Sequence, residues 1–62
     1  MTSLSQFHRD RILWILANSD GKLERSRLRK RMAMKYMELD PILVELTRKN
    51  KIRIYDEIIT LL

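Results

Sequence analysis

Basic residues cluster between residues 25 and 35, and their types and spacing suit them to binding phosphate. This basic segment contains six cations and no acid, namely Arg25, Arg27, Arg29, Lys30, Arg31 and Lys35. The nearest acid, Glu24, lies just outside it, so pairs of opposite charge four residues apart are absent within the segment. Clustered lysine and arginine side chains neutralise the phosphates of a polyanion. The basic segment therefore predicts a phosphate-binding surface, although a solvated helix face would carry the same charges.

Residues that could perform catalysis or bind a metal are scarce. The chain has no cysteine, which excludes disulfides and thiolate metal sites, and its single histidine, His8, is expected at the surface. One glycine is too few for a glycine-rich phosphate loop. Asp56 and Glu57 are adjacent, but they lie where an exposed hairpin tip is expected. We therefore expect a binding protein without enzymatic activity, cofactor or metal.

The size and charge of the chain narrow its class. Its 62 residues suffice for one domain with a thin core, and 45% apolar with 34% charged residues is typical of a globular protein. The net charge of +5 favours an anionic partner. The longest apolar run, residues 12–17, is far shorter than the roughly 20 residues that span a bilayer. No signal-peptide pattern follows Met1, whose presence favours a complete chain, so we expect a cytoplasmic protein.

The first predicted helix precedes the basic segment. It is expected from Leu4 to Asn18, with Ser3 and Gln6 as a capping box at its start. The turn at residues 18–21 closes the helix, because its glycine can adopt a positive φ. One stripe of this helix consists of Leu4, Phe7, Arg11 and Ile15.

The basic segment itself is expected on a second helix. Leu23 lies in a short bridge of one or two extended residues before it. The helix follows at about residues 24–34, with Ser26 as an alternative N-cap. Leu28 and Met32, one turn apart, are expected to face inward.

A third helix is predicted to end at Lys49, before Asn50, a residue that tolerates left-handed backbone. Its start is either Met37 or Asp40, since Asp40 and Pro41 fit an N-cap and a first helical position. Its apolar stripe consists of Leu39, Ile42, Leu43 and Leu46.

The remaining residues change to the alternating pattern of strands. Residues 51–55 and 58–62 are β-prone, and residues 56–57 form a polar tip between them, so we predict a hairpin. Three helices followed by a hairpin resemble the winged-helix branch of the helix-turn-helix family. The residues that carry the resemblance are the apolar run 12–16 before the Asp-Gly turn, Leu23, Leu28, Leu43, Leu46, Asn50, Ile52 and Ile54.

The resemblance implies a mainly α fold with a small hairpin, a single domain over residues 1–62, and binding of double-stranded DNA. In this family the third helix enters the major groove, the second crosses the backbone, and the hairpin wing contacts phosphate or the minor groove. The groove-facing residues would be Tyr36, Met37, Asp40, Pro41, Val44 and Arg48. The six cations of the basic segment would contact the DNA backbone, together with Lys51 and Arg53 from the wing.

Two features depart from the family pattern. The wing is very short, and the third helix carries the acids Glu38, Asp40 and Glu45. Carboxylates near a helix start favour the helix dipole, but they also repel phosphate. Recognition of DNA shape or backbone, or binding of a protein, is therefore favoured over base-specific reading by this helix.

Trp14 lies in the middle of the first helix, where this family commonly exposes a side chain to solvent. It could cap the edge of a thin core. Alternatively, Trp14 and Leu13 could anchor a homodimer, because an exposed tryptophan patch is costly and tryptophan is frequent at binding hot spots.

These observations predict a small DNA-binding protein, a transcriptional regulator whose second helix and wing clamp phosphates. The alternative is a protein-interaction module that docks an acidic partner or self-associates through the first helix. RNA binding by the same basic segment is a third interpretation.

Overall fold

The computed structural model describes residues 4–62, with the side chain of Ser5 left aside. Three helices, α1 (Leu4–Ala17), α2 (Arg25–Met32) and α3 (Tyr36–Arg48), combine with three strands, β1 (Lys22–Glu24), β2 (Ile52–Tyr55) and β3 (Ile58–Leu61). The predicted three helices and hairpin are confirmed, in a mixed α/β arrangement. Ser3, half of the predicted capping box, lies outside the described residues. Within residues 4–62, no helix is long and apolar enough to cross a membrane.

The strands form an antiparallel sheet in the order β1-β3-β2, with β3 at its centre. Ile59 of β3 is fully buried, and its neighbours are Leu23 of β1 on one side and Ile54 of β2 on the other. The extended backbone at Leu23 was predicted, but its pairing with the hairpin was not. Three residues are too few to show the alternation that identifies a strand.

The hairpin tip has unusual backbone geometry for its residue types. Asp56 and Glu57 have φ of 51° and 64°, which is the left-handed conformation that a two-residue type I′ turn requires at both positions. Such turns usually carry asparagine and glycine. The backbone N–H of Arg25 donates to the carbonyl of Glu57 at 2.9 Å, so the tip is fastened to the start of α2.

Apolar side chains from all three helices and the sheet build the core. They are Ile12, Ile15, Leu16, Leu28, Met34, Leu39, Leu43, Leu46, Ile52 and Ile59. Among the described residues, no polar or charged side chain is buried. The predicted stripe of α1 is divided, because Ile15 is buried whereas Leu4 and Phe7 are exposed. The face of α1 that packs against the core is instead formed by Ile12, Ile15 and Leu16.

A left-handed residue separates α2 from α3. Ala33 has φ of 55°, and its N–H donates to the carbonyl of Lys30 at 3.1 Å. The N–H of Met34 donates to the carbonyl of Arg29 at 3.3 Å. These bonds end α2 at Met32, earlier than predicted, and direct Met34 into the core.

The third helix begins at Tyr36, before both predicted starts. The backbone N–H of Lys35 donates to Oε1 of Glu38 at 3.1 Å, which caps the first turn. The alternative with Asp40 as N-cap is therefore wrong, and Pro41 lies inside the helix. A proline there removes one backbone hydrogen bond, a loss that the buried Leu39 and its neighbours in the core offset.

Candidate nucleic-acid interface

The outward side of α2 carries three exposed cations, Arg27, Lys30 and Arg31, which we call the cationic face. Residues three and four apart lie on the same side of a helix, and the fully buried Leu28 holds the opposite side against the core. In the part of the chain that the structure describes, none of the three cations forms an ion pair. Lys35, just beyond the α2–α3 turn, is exposed as well. These charges are available to an external anion.

Arg25 differs from the cationic face because its guanidinium is engaged within the domain. Its Nε donates to Oδ1 of Asp40 at 3.1 Å and its Nη2 to Oδ2 of Asp40 at 2.7 Å. Its Nη1 donates to Oε2 of Glu57 at 3.0 Å. Hydrogen bonds to Asp40 and then to Glu57 raise the pKa of Arg25 above its ordinary value. The residue predicted to contact a phosphate therefore ties α2 to both α3 and the hairpin tip.

Tyr36 lies beside two arginines of α2. The guanidinium carbon of Arg25 is 4.3 Å from the centre of its ring, and that of Arg29 is 5.2 Å away. Both distances are within the range of cation–π attraction. Arg29 also donates from Nη1 to the carbonyl of Met34 at 3.2 Å. Two of the six cations in the basic segment are thus used to set the geometry between α2 and α3.

The outward side of α3 is mostly apolar. Met37 is 77% exposed and Val44 is 51% exposed, and Pro41 and Arg48 lie along the same stripe one turn apart. We call these four residues the α3 stripe. The buried Leu39 and Leu43 face the opposite side. The structure therefore exposes four of the predicted groove residues together, with Arg48 as their charged member.

Two of the three acids predicted to repel phosphate from α3, Asp40 and Glu45, are paired with cations. Oε2 of Glu45 accepts from Nη1 of Arg9 at 2.7 Å, and Oε1 lies 3.5 Å from Nζ of Lys49. The hydrogen bond from Arg9 and the positive charges of Arg9 and Lys49 lower the pKa of Glu45 below its ordinary value. Asp40 is paired with Arg25 as described above. Sequence reasoning missed both compensations, because Arg9 and Glu45 are 36 positions apart and only helix packing joins them.

The predicted wing residues are exposed at the start of an edge strand and on it. Lys51 precedes β2, and Arg53 lies opposite Thr60 in the β2–β3 ladder. Tyr55, beside the tip, is also exposed, although it is not among the residues predicted from sequence. Its position in the sequence could have predicted this exposure, because a large aromatic residue next to a polar hairpin tip has few apolar neighbours to cover it.

The two residues predicted for a dimer interface do not share an environment. Leu13 is half-buried and packs against the core, whereas Trp14 is 63% exposed. Trp14 therefore does not cap the core edge.

Comparison with known proteins finds no match. No protein-family model, no curated protein and no solved structure is similar to the chain. The winged-helix family therefore stays a prediction, compatible with the order of the helices and strands. Within residues 4–62, no group of three or more His, Cys, Asp or Glu side chains could hold a metal ion.

Proposed function

We propose that the protein binds double-stranded DNA as a small winged-helix domain and regulates transcription, with the cytoplasm as its expected location. The observation that carries the proposal is the cationic face of α2. Three cations on adjacent turns, exposed and without an ion-pair partner among the described residues, form a surface that a row of phosphates can balance.

The elements of the domain take different parts in this proposal. The cationic face and Lys35 contact phosphates on one side of the groove, and Lys51 and Arg53 contact them from the wing. Arg25 and Arg29 hold the angle between α2 and α3 through their contacts with Tyr36 and their hydrogen bonds. Phosphate contacts of this kind fix position and orientation without reading sequence.

The α3 stripe limits what can be read in the groove. Met37, Pro41 and Val44 have no side-chain hydrogen-bonding groups, so they suit contact with the methyl group of thymine. Arg48 is the member of the stripe that can donate to a base edge. We therefore propose binding dominated by backbone contacts and DNA shape, with modest preference for sequence.

The exposed α3 stripe also supports the alternative function, a module that docks an acidic protein. In that case the cationic face would supply the charge contacts and Met37 with Val44 the apolar contacts. RNA would use the same cationic face. The three partners differ in how binding depends on salt and on the form of nucleic acid.

Titration of a fluorescently labelled duplex with the protein, over a series of salt concentrations, tests the proposal. If about five phosphates are neutralised, the logarithm of the association constant falls against the logarithm of salt with a slope near −4.5. Lys30→Gln should reduce that slope by about 0.9, because it removes one phosphate contact. Lys49→Gln is the matched control and should leave the slope unchanged, because Lys49 is exposed beside Glu45 rather than on the cationic face.

Three results would overturn the proposal. The first is an association constant that does not change with salt, and the second is no binding of duplex at micromolar protein. The third is clearly tighter binding of single-stranded RNA or of an acidic peptide than of duplex DNA, which would favour one of the alternatives.

A further inference from the structure

The strand β1 lies at an edge of the sheet, and its outer side is open. Within residues 4–62 it pairs with β3 alone, through Lys22, Leu23 and Glu24. Lys22 and Glu24 are exposed, and Leu23 is only partly buried against the core. An uncovered edge strand presents unpaired backbone N–H and C=O groups to any other extended chain. The open side of β1 is therefore a surface on which a further strand can pair.

The hydrogen bonds between β1 and β3 show which backbone groups are used on the inner side. The N–H of Leu61 donates to the carbonyl of Gly21 at 2.6 Å, and the N–H of Arg25 donates to the carbonyl of Glu57 at 2.9 Å. Hydrogen-bonded and non-hydrogen-bonded positions alternate along an antiparallel ladder, so the backbone of Leu23 also faces β3. Every second residue of this segment is thus directed toward the sheet.

The two intervening residues, Lys22 and Glu24, direct their backbone groups to the open edge. The N–H of Lys22 donates to the carbonyl of Ser19 at 3.3 Å, which leaves the carbonyl of Lys22 on the edge. Glu24 keeps an extended backbone, with φ of −65° and ψ of 142°, although α2 begins directly after it. The open edge of β1 therefore offers one acceptor, on Lys22, and one donor, the N–H of Glu24.

The residues along this edge are complementary to themselves. When two copies of β1 pair antiparallel about a two-fold axis at Leu23, residue 22 of each copy lies opposite residue 24 of the other. Lys22 faces Glu24 in both halves, since directly opposite residues of antiparallel strands lie on the same face of a sheet. The N–H of Glu24 reaches the carbonyl of Lys22 in the same two places. Leu23 meets its own copy on the face that packs against the core.

The charges of this edge match a second copy rather than a polyanion. Lys22 and Glu24 form no ion pair with any residue in the part of the chain that the structure describes. Their charges sum to zero, whereas the whole chain carries +5. The other edge strand, β2, contains Arg53 and no acid, so it offers no such match to itself. Of the two edges of the sheet, β1 is the one whose charges fit another copy of the same strand.

We infer that β1 pairs with β1 of a second copy of the chain, so that two domains share one continuous sheet. The interface is isologous and closes as a dimer. A shallow groove of about 310 Å³ lies along this edge and is lined by Lys22, Leu23, Glu24, Arg27 and Ile58. Pairing covers Leu23, which a single copy leaves partly exposed.

The contact is short, because β1 has three residues and α2 begins at its end. Such a contact falls below the roughly 1,200 Å² of stable specific interfaces, so we expect a dissociation constant on the order of 10⁻⁴ M. The interface differs from the one predicted from sequence, which consisted of Leu13 and Trp14 on α1.

Sedimentation velocity over a concentration series, without nucleic acid, tests the inference independently of the proposed function. The sedimentation coefficient should rise from that of a monomer toward that of a dimer between about 10 µM and 1 mM, a range that spans the expected dissociation constant. In NMR spectra of the same samples, the amide proton of Glu24 should move downfield with concentration as its hydrogen bond forms. The amide proton of Arg53, on the opposite edge strand, should stay in place.

Charge exchange tests the register of the two strands. Lys22→Glu and Glu24→Lys should each weaken the homodimer roughly tenfold, because each sets like charges opposite one another at both ends of the interface. An equimolar mixture of the two variants should form a heterodimer as tight as the original homodimer, since every opposite pair again has unlike charges. The double variant K22E/E24K should dimerise by itself for the same reason.

A proline at position 24 tests the backbone hydrogen bonds. Glu24→Pro removes the outward N–H, and the φ of −65° at this position is the one that proline adopts, so the fold should be retained. Glu24→Ala is the matched control, because it also removes the carboxylate but keeps the N–H. Glu24→Pro should therefore dimerise at least fivefold more weakly than Glu24→Ala, with the same circular dichroism spectrum.

Three results would overturn the inference. The first is a monomer up to 1 mM with a constant Glu24 amide shift. The second is a dimer whose affinity is unchanged by the charge reversals and by Glu24→Pro, which would place the interface elsewhere, for example on α1. The third is growth beyond a dimer, which would mean that β1 pairs with a different edge and the contact does not close. Loss of DNA binding in the cationic-face variants would bear on none of these results.

Discussion

Arg25 and Asp40 form a two-point ion pair that joins the first residue of α2 to the middle of α3. Nε and Nη2 of Arg25 donate to the two different carboxylate oxygens of Asp40, at 3.1 and 2.7 Å. This fork geometry fixes the relative orientation of the two helices more tightly than a single contact would.

Asp40→Asn should loosen this junction. The amide keeps one acceptor but loses the negative charge, and we expect the thermal midpoint to fall by about 2–5 °C, the scale of a partly exposed ion pair in a small domain. Asp10→Asn is the matched control, because Asp10 is exposed on α1 and has no ion-pair partner in the described residues. Equal midpoints for the two variants would mean that the pair contributes nothing to the fold.

Glycine at position 57 should make the hairpin tip more stable than alanine does. Glu57 has φ of 64°, a conformation that costs a non-glycine residue about 1–2 kcal/mol. Glu57→Gly and Glu57→Ala both remove the contact with Arg25, but only glycine relieves the backbone. Glu57→Gly should therefore be more stable than Glu57→Ala by about 1 kcal/mol in denaturant unfolding. Equal stabilities would show that the tip relaxes in solution.

The thin core should be sensitive to a single truncation. Leu28 is fully buried and joins α2 to the rest of the core, so Leu28→Ala should cost about 2–5 kcal/mol of unfolding free energy. A domain of this size has little stability to lose, and a large fraction of that variant should be unfolded at 37 °C. Leu62→Ala, at an exposed position, should change stability by less than about 0.5 kcal/mol.

The α3 stripe should distinguish DNA binding from self-association. Arg48→Gln and Val44→Ser should weaken duplex binding several-fold, while the sedimentation behaviour of the free protein stays the same. The reason is that both residues lie on α3, whereas self-association is predicted for α1 from the sequence and proposed for β1 from the structure. Duplex affinity that survives both substitutions would remove α3 from the interface and leave α2 and the wing.

Glu45 should make the stability of the domain depend on pH. Pairing with Arg9 lowers its pKa in the folded state below its ordinary, unfolded-state value. The resulting stabilisation is fully present above that value and is lost as the pH falls through the lower, folded-state pKa. Glu45→Gln should therefore flatten the acid side of a plot of unfolding free energy against pH, and Arg9→Gln should do the same. An unchanged acid side in both variants would contradict the pairing.

The sequence was sufficient to locate the helices and strands whose apolar residues recur with a clear period. The stripe of Leu39, Leu43 and Leu46 located α3, and the alternation around Ile52 located the hairpin. Helix ends were less predictable, because Ala33 adopts a left-handed conformation that its residue type does not favour. Ala33 is the C-cap of α2, so the helix ends two residues before its predicted end.

The sequence predicted which cations belong to the candidate interface. It did not predict which of them are exposed and which are engaged within the domain. The basic segment supplied six candidate cations, and the fold divides them into internal and external contacts. That division depends on residues far away in sequence, such as Asp40 and Glu57 for Arg25. Packing brings these residues together, and no local pattern reports it.

The contacts of Arg25 and Arg29 imply different tolerances to change along α2. Arg25 needs a planar group with several donors, because it serves two carboxylates and lies over the ring of Tyr36. A lysine has one compact ammonium group and cannot replace it in all of these contacts. For the phosphate contacts that we propose, Arg27, Lys30 and Arg31 need only a positive charge. Divergent descendants of this gene should accordingly retain arginine at positions 25 and 29 and exchange lysine and arginine freely at the other three.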